Sequence, residues 1–372
     1  AGLVRYDEFG QRIELTRATP WRASRAGDAW TDDDDLALQA WLQSVGVDVR
    51  ARSAVADAVA LVAREHAYHP VREYLRALRW DGTPRLDTWL AVYVGAIGPE
   101  AYLAAVGRRW LISAVARVMQ PGCQADQVLV LEGPQGAGKS RTARALAVRP
   151  EWYTDRLPEL HTADAAIQLA GRWIVELAEL AAIRHTASIE AVKAYLSRTA
   201  DVYRPPYGRR AVSVPRQCVF VATTNESTYL RDRTGNRRYW PVRCGRIDLD
   251  ALDRDRDQLY AEAVVAYDAG EPWHLDPDID ALARLEQAER VLTTELEHDV
   301  EQYLASLGTG EVTVRDVLVY GLHLDPDAPD YIERAGRVGP QVAAALERAG
   351  WHRVRVIGRG PTRRTVYRRG TP

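Results

Sequence analysis

A glycine-rich stretch, LEGPQGAGKS at residues 131–140, carries the clearest chemistry in this sequence. An apolar run precedes it and an amphipathic segment follows it, which predicts a strand, a turn and a helix in that order. It fits the pattern GxxxxGKS, in which backbone N–H groups surround phosphate oxygens at the positive end of the new helix. In this pattern Lys139 contacts the β- and γ-phosphates and the hydroxyl of Ser140 binds Mg²⁺. The expected nucleotide-binding residues are Gly133, Pro134, Gln135, Gly136, Ala137, Gly138, Lys139, Ser140 and Arg141.

Two glutamates follow a second apolar stretch. Residues 173–175 predict a short buried strand, with Glu176 at its C-terminal end and Glu179 three residues later. Open α/β sheets present ligand-binding groups at this edge. We assign Glu176 to the Mg²⁺ side of the site and Glu179 to polarisation of the attacking water. The spacing leaves the reverse order open, and one of the two acids can instead be an ordinary surface residue.

Polar groups beside the next two apolar strands extend the candidate site. Residues 217–222 predict a strand, and Asn225 follows it at a position suited to hydrogen-bond the γ-phosphate or the lytic water, although Asn also favours turns. Arg237 and Arg238 lie on a predicted turn before the strand at 239–242. An arginine offered to a neighbouring subunit's γ-phosphate is worth about 10³–10⁵ in rate. Arg237 and Arg238 are candidates for such an arginine finger. The alternative is that they lie on a solvated basic turn.

A segment rich in arginine, tyrosine and proline lies between the two acids and Asn225, after a predicted helix at 189–198. Interleaved basic and aromatic side chains suit a loop that binds a nucleic-acid backbone and stacks on bases. The alternative is an ordinary exposed hairpin. The candidate DNA-binding residues are Lys193, Arg204, Tyr207, Arg209 and Arg210.

The elements that must position these groups divide the chain into three expected domains. Residues 1–98 predict an N-terminal helical domain, with a short hairpin at 6–15. Residues 99–290 hold the motifs above and predict an α/β core that begins with a long helix at 100–118. Residues 291–372 predict helices, the last of them at 338–348, followed by two basic strands. This order is typical of a winged helix that binds phosphates without reading sequence. The alternative for this last part is a basic lid on an acidic neighbouring subunit.

Composition restricts the class of protein. The 372 residues are 47% hydrophobic and 27% charged, as in ordinary globular proteins, and the formal net charge of −2 argues against a uniformly basic nucleic-acid binder. No apolar run approaches the roughly 18 residues of a membrane-spanning helix, and the N-terminus has no signal-peptide pattern. Three widely spaced cysteines suit neither a disulfide framework nor a zinc site. We therefore expect no membrane partner and a reducing cytoplasm.

Together these motifs resemble the virulence-associated protein E family, P-loop ATPases of phages, prophages and mobile islands that are related to superfamily 3 helicases. The P-loop alone is unspecific, whereas its combination with the other segments in this order is specific. The matching segments are YHPVREYL (68–75), WDGTPRLDTWL (80–90), LEGPQGAGKS (131–140), RWIVELAEL (172–180), DVYRPPYGR (201–209) and TGNRRYWPV (234–242).

The resemblance implies an α/β fold with an AAA+-like P-loop core that hydrolyses ATP with Mg²⁺. It implies a ring, expected to be a hexamer, acting on single-stranded or forked DNA during phage-type or plasmid-type replication in a bacterial host. The hairpin at Arg204–Arg210 resembles the DNA-tracking loop of such helicases. The resemblance also implies the roles of the site residues. Lys139 and Ser140 would be the Walker A residues, and Glu176 and Glu179 would supply the acids. Asn225 would be the first sensor, and Arg237 or Arg238 the arginine finger.

Partners and rival functions follow from the same resemblance. Relatives often carry a primase domain upstream, so a primase or another replication protein is an expected partner. One rival function is an ATP-switched initiator or helicase loader that binds DNA without unwinding it. Another is a DNA-binding regulator or phage-interference factor in which ATP only controls assembly.

Overall fold

The chain folds into two compact units, Ala1–Arg290 and Val291–Pro372. The computed structural model describes the residues 2–156, 163–178, 189–204, 210–230, 236–291, 295–307, 310–357 and 364–369. Glu179, Tyr207 and Arg209 lie outside these ranges, so their expected functions stay predictions.

The first unit begins with a small sheet and helices. Strands β1 (Val4–Asp7) and β2 (Arg12–Leu15) form an antiparallel hairpin, and β3 (Ala67–Tyr68) pairs parallel to β1. The helices of this part are α1 (Asp32–Ser44), α2 (Arg52–Glu65), α3 (Pro70–Ala77) and α4 (Trp89–Tyr93). Apolar residues of β1, β2 and α2 form a separate small core, consisting of Val4, Leu15, Val55, Val59 and Ala63.

Helices α3 and α4 pack into a larger core that they share with the central sheet. Leu75 and Trp89 are buried there beside Trp110 of the long helix α5 (Glu100–Met119) and Val221 of the sheet. The expected domain boundary at residue 98 therefore falls inside the first unit, because α3, α4 and α5 bury their apolar faces together.

A five-stranded parallel sheet is the framework of the first unit. Its strands lie in the order β10 (Tyr239–Arg243), β4 (Val128–Glu132), β9 (Val219–Thr224), β6 (Ile174–Leu177) and β5 (Tyr153–Thr154). Every strand pair in it is parallel, so the C-terminal ends of the strands lie at one edge. β4 and β9 are buried along their whole length, as in a sheet covered on both faces. Strands β7 (Ala200–Tyr203) and β8 (Val212–Pro215) lie between β6 and β9 along the chain. The expectation of an α/β fold with a parallel sheet is confirmed.

Buried tryptophans join the covering helices to this sheet. The indole N–H of Trp110 in α5 donates to the backbone oxygen of Phe220 in β9 at 3.0 Å. The indole of Trp173 donates to Ala114 in α5 at 3.0 Å, and its ring stacks on Tyr260. The remaining helices of this unit are α6 (Lys139–Leu146), α7 (Ala163–Gln168), α8 (Ile189–Leu196), α9 (Leu249–Asp268) and α10 (Pro277–Glu289).

The second unit combines helices with a three-stranded antiparallel sheet. Its strands β11 (Glu311–Thr313), β12 (Trp351–Ile357) and β13 (Arg364–Arg369) lie in the order β11-β13-β12. Its helices are α11 (Glu295–Ser306), α12 (Val314–Asp316), which continues as the π-helical turn Val317–Gly321, and α13 (Tyr331–Arg348). Val300, Val317, Leu346, Trp351 and Tyr367 are among the residues of its core.

Helix α13 begins at Tyr331, earlier than the start at residue 338 that the apolar pattern predicts. Gly336, Gly339 and Pro340 have low helix propensity, and they obscure the first turns of this helix in the sequence. Within the described ranges, no helix combines the length and apolarity that crossing a bilayer requires.

Candidate nucleotide-binding site

A cleft of 360 Å³ opens at the C-terminal edge of the parallel sheet, beside the loop that follows β4. It combines the backbone of the glycine-rich loop with polar side chains from the ends of neighbouring strands. The residues that line it are Gln135, Gly136, Gly138, Lys139, Ser140, Arg141, Ala178, Thr223, Thr224 and Asn225.

The glycine-rich loop has a backbone that only glycine adopts readily. Gly136 and Gly138 have φ angles of 82° and 99°, in the left-handed region. Gly138 is the N-cap of α6, and its backbone oxygen accepts from the N–H of Thr142 at 2.9 Å. The helix therefore begins at Lys139, and its first-turn N–H groups have no acceptor within the helix. This positive helix end beside the cleft favours an anion.

The Lys139 ammonium joins the loop to the end of β9. Its Nζ donates to the backbone oxygens of Gly133 and Pro134 at 2.7 and 2.8 Å. It also donates to Oδ1 of Asn225 at 2.9 Å. Burial holds the pKa of Lys139 below its ordinary value, because removal from water disfavours the charged form. The geometry thus brings Lys139 and Asn225 together, since β9 pairs directly with β4.

Three hydroxyl groups converge on the carboxylate of Glu176, which is fully buried at the end of β6. Its Oε1 accepts from Ser140 Oγ and from Thr223 Oγ1, each at 2.7 Å. Its Oε2 accepts from the hydroxyl of Tyr153 on the edge strand β5. Burial, together with the bond to Glu176, raises the pKa of Tyr153, so the phenol stays protonated and donates.

The donor set beside Lys139 suits a hard cation. The Ser140 hydroxyl and the Glu176 carboxylate offer oxygen ligands, and Mg²⁺ typically takes one or two protein oxygens, several waters and substrate phosphates. In the part of the chain that the structure describes, no group of three or more His, Cys, Asp or Glu residues could hold a metal ion. The residues present therefore fit Mg²⁺ bound together with a phosphate ligand.

A buried ion pair supports the start of the glycine-rich loop. Glu132, the last residue of β4, accepts from Arg290 Nε at 2.8 Å and from the hydroxyl of Tyr229 at 2.6 Å. The backbone N–H groups of Tyr229 and Leu230 donate to the oxygen of Arg290 at 2.9 and 2.8 Å. The network thus fixes the residue before Gly133 against the segment that follows Asn225.

The two adjacent arginines lie at the other edge of the sheet. Arg237 and Arg238 belong to a 3-10 turn (Asn236–Arg238) directly before β10, whose first residue pairs with Val128 at the beginning of β4. Both arginines line a second cleft of 350 Å³. The structure therefore does not bring them to Lys139 of the same chain.

These arginines differ in their surroundings. Nε of Arg238 donates to Oδ2 of Asp126 at 3.0 Å and to Oγ of Ser197 at 2.9 Å, and its side chain is only 15% exposed. Arg237 is exposed. Arg237 is consequently the better placed of the two to contact a second molecule.

The predicted DNA-binding hairpin has two antiparallel strands, β7 and β8. Its base is held by a buried, bidentate pair in which Arg216 donates to both carboxylate oxygens of Asp201, at 2.7 and 2.9 Å. Arg204 and Arg210 follow β7 and precede β8 and are exposed, whereas Lys193 is half-buried in α8.

Comparison with known proteins identifies the family. The chain matches the Virulence-associated protein E-like domain over residues 75–292, more than half of its length. The protein belongs to this family. The family resemblance inferred from the motifs is thereby confirmed. Among curated proteins, no relative matches the chain.

A solved structure of the NrS-1 C-terminal region is similar in fold to this virulence-associated protein E-like chain. The A form apo structure of residues 305–718 has a TM-score of 0.51 at 11% identity, covering 99% of this chain and 96% of that chain. Another apo structure of the same region gives a TM-score of 0.49 at the same identity and coverage. At this identity the similarity concerns the fold alone.

Two residues of the site in this family member were missed from the sequence. Thr223 directly precedes Thr224 and Asn225 at the end of β9, so the polar end of that strand contains a signal for it. Tyr153 lies in a two-residue strand, which is too short to show an alternating pattern. Only the three-dimensional structure reveals its contact with Glu176.

Proposed function

We propose that this virulence-associated protein E-like protein is an AAA+-type P-loop ATPase that hydrolyses ATP with Mg²⁺. It acts as a ring-shaped DNA helicase or translocase in the replication of a phage, prophage or mobile element. The observation that carries the proposal is the meeting, at one cleft, of a glycine-rich helix start with the side chains of Lys139, Ser140 and Asn225. The buried carboxylate of Glu176 lies directly behind Ser140, whose hydroxyl donates to it.

Each group has a task in phosphoryl transfer. The N–H groups at the start of α6 and the Lys139 ammonium bind the phosphates, since charge-assisted bonds to phosphate are stronger than bonds to neutral backbone oxygens. Ser140 and Glu176 hold Mg²⁺, which neutralises phosphate charge when it is bound. Asn225 orients the γ-phosphate or the attacking water. Glu179 is proposed to polarise that water.

The arginine at the far edge of the sheet supports a ring. Arg237 is exposed and separated from its own P-loop by the length of β10, so it suits the γ-phosphate of a neighbouring copy. A closed homo-oligomer, proposed to be a hexamer, repeats this contact at every interface.

Two regions offer positive charge to DNA. In the hairpin, Arg204 directly after β7 and Arg210 just before β8 are exposed. The second unit is proposed to be a winged-helix variant whose wing is β12 and β13. Glu311 binds both Arg355 and Arg368 of this wing, which leaves the exposed Arg353 and Arg369 better suited to contact phosphates.

ATP hydrolysis by the purified chain, with and without single-stranded DNA, tests the proposal. Lys139→Ala is expected to remove turnover because it deletes the charge that contacts the phosphates. The matched variant Arg284→Ala, which removes a mostly exposed cation from α10, is expected to hydrolyse ATP normally. Normal turnover by Lys139→Ala would overturn the P-loop assignment.

Strand displacement on a forked duplex then separates the helicase from its rivals. Unwinding with DNA-stimulated hydrolysis supports the motor. Hydrolysis and DNA binding without unwinding would instead identify an initiator or loader, and hydrolysis indifferent to DNA would identify a regulator.

A further inference from the structure

Tyr153 lies on the edge strand β5, buried beside the acid of the candidate Mg²⁺ site. We propose that Tyr153 is a positioning residue for ATP hydrolysis, whose hydroxyl holds the Glu176 carboxylate in the orientation that lets Glu176 and Ser140 bind Mg²⁺ together. This inference rests on the proposed function and adds to it a residue outside the recognised motifs.

The two oxygens of Glu176 are divided between different partners. Oε1 takes the hydroxyls of Ser140 and Thr223, on the side of the nucleotide cleft, and Oε2 takes the hydroxyl of Tyr153. A carboxylate on a flexible side chain can rotate and exchange its oxygens. A donor bound to Oε2 fixes the carboxylate plane, so that Oε1 faces Ser140.

The sheet register places Tyr153 for this contact. β5 is parallel to β6, with Tyr153 opposite Ile174 and Thr154 opposite Val175. Ile174 and Glu176 lie two residues apart, so their side chains share one face of the sheet, and the long phenol of Tyr153 reaches the second of them.

Contacts on the other side hold the Tyr153 ring. The guanidinium carbon of Arg144 in α6 lies 5.0 Å from the ring centroid, within the range of a cation–π contact. Arg144 also pairs with Asp155 at 3.8 Å. The ring is therefore enclosed between the P-loop helix and β6, and its hydroxyl has a defined direction toward Glu176.

Removal of the hydroxyl should act through Glu176. Without this donor the carboxylate is free to rotate, and Oε1 no longer keeps its direction toward Ser140. Residues that orient metal ligands typically change metal affinity or activity by about 10–100-fold when mutated. A purely structural tyrosine would change neither the metal affinity nor the Mg²⁺ dependence of hydrolysis.

The test compares wild type with Tyr153→Phe in two measurements. Binding of Mn²⁺, a paramagnetic substitute for Mg²⁺, is measured by electron paramagnetic resonance with a non-hydrolysable ATP analogue, and hydrolysis is followed against Mg²⁺ concentration. We expect Mn²⁺ affinity to fall about 10–100-fold. We also expect the Mg²⁺ concentration for half-maximal hydrolysis to rise, with nucleotide binding in the presence of chelator unchanged.

Two further variants make the result specific. Tyr102→Phe deletes a similarly buried hydroxyl, which donates to the backbone oxygen of Pro241 at 3.1 Å, and it should leave both measurements unchanged. Tyr153→Gln keeps a donor at the site and should recover part of the Mn²⁺ affinity. Thermal melting establishes that each variant is folded.

Wild-type Mn²⁺ affinity and wild-type Mg²⁺ dependence of hydrolysis in folded Tyr153→Phe would overturn the positioning role. If Tyr153→Phe does not fold, Tyr153→Gln is compared with Tyr153→Leu instead. The positioning role would then be overturned if Tyr153→Gln binds Mn²⁺ no more tightly than Tyr153→Leu. Failure of the underlying proposal is seen separately, because it requires Lys139→Ala to hydrolyse ATP as wild type does.

Discussion

Arg237 lies at the opposite edge of the central parallel sheet from Lys139 of the same chain. Lys139 follows the C-terminal end of β4, whereas Arg237 precedes Tyr239, which pairs with Val128 at the N-terminal end of β4. A five-residue strand spans about 15 Å, so the two residues lie at opposite ends of the strands of this sheet. Any phosphate that both of them contact must lie between two copies of the chain.

An intact Arg237 from a neighbouring copy should therefore compensate for the loss of Arg237 from one copy. Arg237→Ala is expected to bind ATP but to hydrolyse it about 10³–10⁵-fold more slowly, because the transition-state charge loses its cation. Mixing it with Lys139→Ala should restore part of the activity, since some interfaces then combine an intact P-loop with an intact arginine. Steady-state hydrolysis across mixing ratios measures this.

Arg238→Ala is the matched control for this experiment. It removes the adjacent guanidinium, which is bound to Asp126 and Ser197 of its own chain, and should mainly lower stability. Mixtures of Arg237→Ala with Lys139→Ala that stay inactive would contradict a finger acting between copies. Rescue of Arg238→Ala in place of Arg237→Ala would exchange the two assignments.

The buried pair of Glu132 and Arg290 should matter for stability. Arg290→Ala leaves the Glu132 carboxylate buried without its cation, which typically lowers the free energy of unfolding by about 3–5 kcal/mol. Arg284→Ala in the preceding helix removes an exposed partner of Asp280 and should cost at most about 1 kcal/mol. Urea denaturation measures the free energy of unfolding of both variants. Equal losses would show that the buried pair stabilises the fold no more than the exposed pair does.

The sequence predicted those parts of the fold in which local patterns are strong. Apolar runs that end in polar groups indicated β4, β6 and β9, because strands of a covered parallel sheet are buried throughout and turn polar at the ligand edge. The glycine-rich pattern likewise predicted the loop before Lys139.

Contacts between distant residues were not predictable in this way. Glu132 and Arg290 are 158 positions apart, and Arg290 belongs to none of the recognised motifs. The parallel pairing of β1 with β3 joins segments separated by two helices. In each case tertiary packing determines which residues pair. No local sequence pattern indicates that pairing.

The hairpin should contribute to the salt dependence of DNA binding. Arg210 is exposed just before β8. A contact of its side chain with a DNA phosphate would release a counterion. Arg210→Ala is expected to weaken binding and to reduce the slope of log affinity against log salt by about 0.7–1 unit. Fluorescence anisotropy with labelled single-stranded DNA measures the slope. Arg284→Ala serves as the surface control, and an unchanged slope for Arg210→Ala would argue against contact.

His69 should make the first unit less stable in mild acid. This buried N-cap of α3 accepts from the N–H of Arg72 through Nδ1, and its Nε2 lies 2.7 Å from Oε1 of Gln217. Burial, aided by the charges of Arg72 and Arg76 and opposed by the Gln217 bond, lowers the pKa of His69 to about 4. Protonation at Nδ1 would also place a donor against the Arg72 N–H.

The sign of the pH effect follows from the pKa values. The unfolded chain binds a proton at His69 near pH 6.5, whereas the folded chain does so only near pH 4, so stability falls as the pH drops between these values. Between pH 7.5 and pH 5 the residue should account for about 2 kcal/mol of lost unfolding free energy. His69→Asn keeps a capping side chain without a titrating group. Its stability, measured by urea denaturation at both pH values, should fall less than that of wild type, and parallel losses would contradict a neutral, buried His69.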